Sequence, residues 1–120
     1  NDKRRAIALR YNEAFKELPI ILPALQENEL HAMHLYVIEC DRRNELMEHL
    51  RSHQIGASLH YPLAVHQQDA YAHRIRGRDN LPVTELFYQR NLTLPMYPEL
   101  SNDAVEHIIT KVQHWFRENN

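Results

Sequence analysis

The run His34-Leu-Tyr-Val-Ile-Glu-Cys40 constrains the fold more than any other segment of the chain. It is rich in β-branched and aromatic residues, which suit a pleated surface. It is also nearly continuous in apolar character, so it reads as a central strand rather than an edge. Such a strand needs helices to cover it, and the sequence supplies them on both sides. Ile7, Tyr11, Ala14, Phe15 and Leu18 recur at helical spacing and predict an amphipathic helix over residues 3–18. Asp41 is a good N-cap for a second helix, whose inner face is Leu46, Met47 and Leu50 and which ends near His53. Ala104, Val105, Ile108, Ile109, Val112, Trp115 and Phe116 give a last helix a broad apolar face, with Ser101 as cap and Asp103 at its positive end.

Prolines punctuate the rest. Pro19 and Pro23 bracket an extended piece after the first helix. Residues 57–61 read as a second, shorter strand, which Pro62 closes. The stretch 63–81 is the least regular, with a short helix expected over 68–73. Pro82 suits the first position of a helix reaching Arg90, and Leu92-Thr93-Leu94 is a short strand closed by Pro95. Helices and strands alternate, so the expected fold class is α/β, a two-layer sandwich with helices covering a small sheet.

A length of 120 residues gives room for a single domain over 1–120. Apolar residues at 43% and charged residues at 25% are globular values and argue against disorder. A net charge of −2 argues against a nucleic-acid binder. The apolar runs are too short for a transmembrane helix, so no membrane role is expected. The N-terminus does not resemble a signal peptide, and the single Cys40 cannot form an internal disulfide; both fit a cytoplasmic location. The chain starts without Met inside a helical pattern, which suggests a piece of a longer protein.

Nine histidines are the unusual feature. His49 and His53, at i and i+4 on one helix, could supply two zinc ligands, but their charged neighbours favour a solvated face. His34 opens a strand and is either a hydrogen-bonded structural residue or part of a site. His60-Tyr61-Pro62, followed by His66, lies at a strand end and in the loop after it, where binding groups cluster. Histidine and tyrosine can both donate hydrogen bonds to phosphate or hydroxyl oxygens. The alternative is a loop packed by its own aromatic and proline side chains, and spacing alone does not choose between the two. Tyr61, Tyr71, Tyr88 and Tyr97 read as core rims with wetted hydroxyls.

Complete catalytic machinery is not visible. Cys40 sits in an apolar strand, where a thiol is inert, and none of Ser52, Ser58 and Ser101 lies in a glycine elbow. Lys3, Lys16 and Lys111 fall on exposed helical stretches, unlike a desolvated Schiff-base lysine. With only Gly56 and Gly77, no glycine-rich phosphate loop exists.

The segments GASLHYPLAVHQQDAY, LPVTE and LTLPMYPELS, in that order and followed by an amphipathic helix, resemble the C-terminal part of the DegT/DnrJ/EryC1/StrS sugar aminotransferases. The earlier RRAIALRYNEAF and HAMHLYVIECDRRNELMEHL fit the same family, so the resemblance runs from about Arg4 to Phe116. It implies the small C-terminal domain of an aspartate-aminotransferase-like enzyme of fold type I. Pyridoxal phosphate and its Schiff-base lysine would belong to a large domain absent from this chain. The full enzyme would move an amino group from glutamate to a nucleotide-linked keto-deoxysugar, as a homodimer, with this domain closing the substrate cleft. By the resemblance, His60, Tyr61 and His66 bind substrate, and no catalytic, cofactor or metal residue is expected here. Gln68 matches the same loop, Tyr71 and Glu85 match as structural supports, and His34 matches a strand histidine. Gln54 stands where the family usually has glycine, which implies a left-handed residue after the second helix. Ala64 and Asp69 replace frequent prolines and loosen the loop. The His-Tyr-Pro form leans toward amination at the 3-keto position of deoxythymidine-diphosphate sugars. Two other readings are a non-catalytic interaction module of the same fold and a His-rich metal-binding domain.

Overall fold

The computed structural model describes residues 1–71, 74, 76 and 81–119. In chain order the regular elements are α1 (Asp2–Phe15), β1 (Tyr36–Glu39), α2 (Arg43–Ser52), α3 (Pro82–Arg90), β2 (Asn91–Leu94) and α4 (Asn102–Asn119). Single 3-10 turns lie at Val65–Gln67 and Asp69–Tyr71.

β1 pairs antiparallel with β2, with Tyr36 opposite Leu94 and Glu39 opposite Asn91. Its other side is bridged by Ile21 at Glu39, and the far side of β2 is bridged by Ser58 at Thr93. The most apolar run is therefore flanked on both sides, as its composition requires. Strand alternation turns Tyr36, Ile38, Leu92 and Leu94 into one cluster with Tyr11 and Phe15 of α1, Leu46 and Leu50 of α2, and Val105, Ile108, Val112 and Phe116 of α4. Burying each such side chain contributes about 1.5–3 kcal/mol before entropy is counted. Two phenols inside the cluster keep partners: Tyr11 donates to the Pro95 carbonyl at 3.0 Å and Tyr36 to Asn12 Oδ1 at 2.6 Å. Burial raises the pKa of both hydroxyls, so both stay protonated.

Several element ends differ from the sequence reading, each for a local reason. α1 stops at Phe15, and Leu18 closes a turn onto the Phe15 carbonyl at 3.0 Å. β1 begins at Tyr36 because Met33, with φ at 50°, turns the chain just before it. Asp41 is not the cap of α2: Arg42 takes that position in the left-handed region, and Asp41 faces Arg90 Nε at 3.1 Å. Residues 57–61 form only the single bridge at Ser58. The expected helix over 68–73 is the turn Asp69–Tyr71, and its last two positions lie outside the described residues.

Other ends agree. Pro82 opens α3, and Ser101 Oγ accepts the Ala104 N–H at 3.1 Å. Gln54 has φ at 59°. Its N–H reaches the Arg51 carbonyl and the Ile55 N–H reaches the Leu50 carbonyl, both at 3.0 Å, with Ile55 buried. That pattern closes α2 with the left-handed residue at which glycine is usual.

Candidate functional site

Strand β2 positions the first candidate. Leu92 and Leu94 face the core, so alternation turns Thr93 to the opposite face of the strand, beside the chain bridged at Ser58. There His60 Nδ1 lies 2.9 Å from Thr93 Oγ1. The His60 ring is half-buried and meets Tyr61 edge-on, with centroids 5.5 Å apart. Tyr61 itself is 64% exposed.

Three residues later the chain turns inward. Ala64 is buried, and the Gln67 N–H closes the 3-10 turn on its carbonyl at 2.9 Å. His66 is only 4% exposed, and its Nε2 sits 3.1 Å from Oε1 of Glu85 in the first turn of α3. A carboxylate oxygen only accepts here, so the proton of this bond sits on Nε2. Gln68 and Tyr71 are exposed, and Tyr71 closes the second turn on the Gln68 carbonyl at 2.9 Å. His60, Tyr61 and His66 thus belong to one short segment, with both imidazoles tied inward and the phenol outward. His34 is exposed and lies in the bend before β1 rather than in the strand.

α3 is fixed in turn by a residue that the sequence reading did not single out. Arg43 is 8% exposed and donates from Nη1 to the Asn91 carbonyl at 2.6 Å and from Nη2 to the Tyr88 carbonyl at 3.3 Å. A cation at the C-terminal end of α3 also complements the helix dipole. Burial lowers the Arg43 pKa, but the group remains a cation and its carbonyl partners take up the donors. Beside it the Asn91 amide is buried, with neither Nδ2 nor Oδ1 paired among the described residues.

The remaining candidates take structural positions. His49 is half-buried rather than solvated, with Nε2 3.1 Å from the Lys111 carbonyl and its ring tilted against that of His53 and stacked near that of His114. Desolvation first, and then the neighbouring His53, His114 and Lys111 charges, lower its pKa. His53 Nδ1 lies 2.8 Å from the His49 carbonyl, so the pair spends ring nitrogens on the backbone. Among the described residues, no three His, Cys, Asp or Glu side chains converge as a metal site would need. Cys40 is buried, and desolvation raises its thiol to about 11. Lys3 and Lys16 are exposed and Lys111 is half-buried on α4. These positions do not fit a lysine that holds an aldehyde cofactor in a dry pocket. A cleft of about 530 Å³ is lined by Ile21, Glu39, Val83, Leu86 and Phe87, and none of His60, Tyr61 and His66 lines it. No described helix is long and apolar enough to cross a membrane.

Against known proteins, residues 1–113 match the DegT/DnrJ/EryC1/StrS aminotransferase family. The dTDP-3-amino-3,4,6-trideoxy-alpha-D-glucose transaminase of Streptomyces venezuelae is 34% identical over 116 residues, covering 96% of this chain and 31% of that relative. The UDP-N-acetyl-3-dehydro-alpha-D-glucosamine 3-aminotransferase of Acidithiobacillus ferrooxidans is 32% identical over 113 residues, covering 94% and 30%. Among solved structures, S. venezuelae DesV in complex with a ketimine intermediate superposes with a TM-score of 0.94 at 32% identity, over 100% of this chain and 33% of that one. The chain therefore spans about 31% of the length of the curated relatives that it matches.

Proposed function

The chain belongs to the DegT/DnrJ/EryC1/StrS aminotransferase family, and from that premise we propose that it is the small C-terminal domain of a sugar aminotransferase. In this reading the fold is the two-layer sandwich of an aspartate-aminotransferase-like enzyme of fold type I, and the domain closes the substrate cleft. The enzyme is a cytoplasmic homodimer that moves an amino group from glutamate to a nucleotide-linked keto sugar. Two relatives with different nucleotides both carry position 3 in their names, which supports amination at that carbon.

The observation that carries the reading is the segment 60–66. It occupies the loop that the family resemblance implies for substrate, and it presents an exposed phenol between two anchored imidazoles. In this proposal His60, Tyr61 and His66 make the substrate-binding segment. His60 commits Nδ1 to Thr93, so Nε2, on the opposite side of the ring, is directed to a sugar hydroxyl or diphosphate oxygen. Tyr61 offers its hydroxyl as the second donor. His66 holds the segment from beneath through Nε2 and supports both.

Pyridoxal phosphate, when bound, supplies the carbonyl that receives and releases the amino group. The described residues do not fit it, because none offers a desolvated lysine, so the cofactor is assigned to the remainder of the enzyme. Two experiments test the reading. In the full-length enzyme, His60→Ala is expected to reduce turnover of the nucleotide sugar while leaving the cofactor absorbance intact; wild-type kinetics would overturn the assignment. The isolated chain, mixed with pyridoxal phosphate and borohydride, is expected to show no stoichiometric label on Lys3, Lys16 or Lys111. One such label, together with amino transfer from glutamate, would identify a complete enzyme instead.

A further inference from the structure

The segment 60–66 has little packing of its own. Tyr61 is 64% exposed, Leu63 52% and Val65 56%, so apolar burial holds it only at the small side chain of Ala64. Its polar fixed points lie at its two ends. At one end the His60 ring is bound to Thr93 of β2, and at the other the His66 ring is bound to Glu85 of α3. Both anchors stand on rigid elements. Thr93 is also bridged to Ser58 through both backbone groups, at 3.1 and 2.8 Å, and α3 is tied to α2 by Arg43. A segment held at both ends on a sheet and a helix keeps an exposed side chain in a defined place without needing to bury it.

We propose that Thr93 and Glu85 are positioning residues that fix the two imidazoles and so set where Tyr61 meets the substrate. This rests on the substrate reading of the segment given above. Neither residue touches substrate. Each acts through a histidine, and the cost of removing one is a misplaced Tyr61 rather than a lost contact. A merely structural role for buried His66 would instead affect the whole fold.

The test uses the full-length enzyme with Glu85→Ala, Glu85→Gln, Thr93→Val and Thr93→Ser, read by kinetics of the two half-reactions and by hydrogen exchange of peptides covering 59–67 and 36–39. Glu85→Ala and Thr93→Val are each expected to raise KM for the nucleotide sugar by about tenfold, since small displacements of a binding group carry large kinetic penalties. On the reading that the segment contacts the nucleotide sugar, the half-reaction with the amino donor should stay within about twofold. Exchange over 59–67 should rise while that over 36–39 does not. Glu85→Gln and Thr93→Ser should recover most of the loss, because each restores a hydrogen-bonding oxygen. Unchanged KM and exchange in the Ala and Val variants, with His60→Ala impaired, would overturn the positioning role alone. Equal loss in both half-reactions with faster exchange everywhere would assign both residues to the fold. Wild-type kinetics in His60→Ala and Tyr61→Phe would remove the substrate reading and, with it, the purpose of both anchors.

Discussion

The helix–sheet core and the described residues of the excursion between Ala57 and Arg90 hold their shape by different means. In the core, Ile38, Leu46, Leu50, Leu92 and Leu94 are essentially removed from solvent, and shape follows from close packing. In the excursion, Leu63, Val65 and Val83 are more than half exposed, and the backbone is held by the Thr93–His60, Glu85–His66 and Arg43–carbonyl bonds. Packing is non-directional and shared among many atoms, so a truncation there is felt by the whole core as a cavity. Hydrogen bonds are directional and few, so the excursion holds its place through single residues whose replacement acts locally.

That contrast predicts a graded response. Leu46→Ala is expected to lower stability by about 2–5 kcal/mol in urea unfolding, because a fully buried leucine leaves a cavity. Leu63→Ala, an equal truncation at an exposed position, should stay within about 0.5 kcal/mol. Similar losses at the two positions would erase the distinction. Arg43→Met should cost about 1–3 kcal/mol, because it leaves the inward carbonyls of Asn91 and Tyr88 without a donor. Arg43→Lys should recover only part of it, since one ammonium lacks the fork that spans two carbonyls.

A smaller effect is expected at Gln54. Gln54→Gly should raise the unfolding free energy by up to about 1 kcal/mol, since a Cβ is disfavoured at φ 59°. A destabilised glycine variant would mean that the left-handed turn carries no cost.

The smallest effect is on pH dependence, and it arises inside the core region at the α2–α4 contact. The folded-state pKa of His49 lies below its ordinary 6.5, so the unfolded chain takes up a proton first. The stability contributed by neutral His49 is thus complete above about pH 6.5 and is lost as pH falls through that value toward the folded pKa. Thermal melts at pH 7.5 and 5.5 should show this loss diminished in His49→Gln, by a fraction of the total shift. An unchanged difference between the two pH values would place the sensitivity elsewhere.

Helical periodicity and the apolar run made the core legible, because burial writes itself into spacing. The run His34–Cys40 gave a flanked strand, and the face through Leu46 and Leu50 gave a buried helix, because both patterns follow from which side meets water. The start of α2 was not legible. Asp41 has the right chemistry for a cap, but the left-handed Arg42 places the helix one residue later, and backbone dihedrals leave no mark in residue type when the residue is not glycine. The second strand reduced to one bridge because only Ser58 lies opposite Thr93. In the candidate site, His60, Tyr61 and His66 stood out by type and position, and Glu85 by the family resemblance. Thr93 was hidden. Its place between Leu92 and Leu94 does turn it off the core face, but nothing local says that a histidine 33 residues earlier will meet it. Arg43 was hidden for the same reason, since its partners are carbonyls, which every residue carries.

The pairing of Tyr36 with Leu94 has a consequence in time. The two strands that make the sheet enclose everything from Cys40 to Arg90, so the ladder closes only after a long stretch of chain has been synthesised and brought back. Closing a loop of that length is a slow, entropy-limited event, whereas α2 can form from neighbours in sequence as soon as it exists. The bond between His60 and Thr93 is nested inside that loop and closes a shorter one of its own, so it does not wait for the ladder. A spectroscopic probe at His60 should report order no later than one at Tyr36.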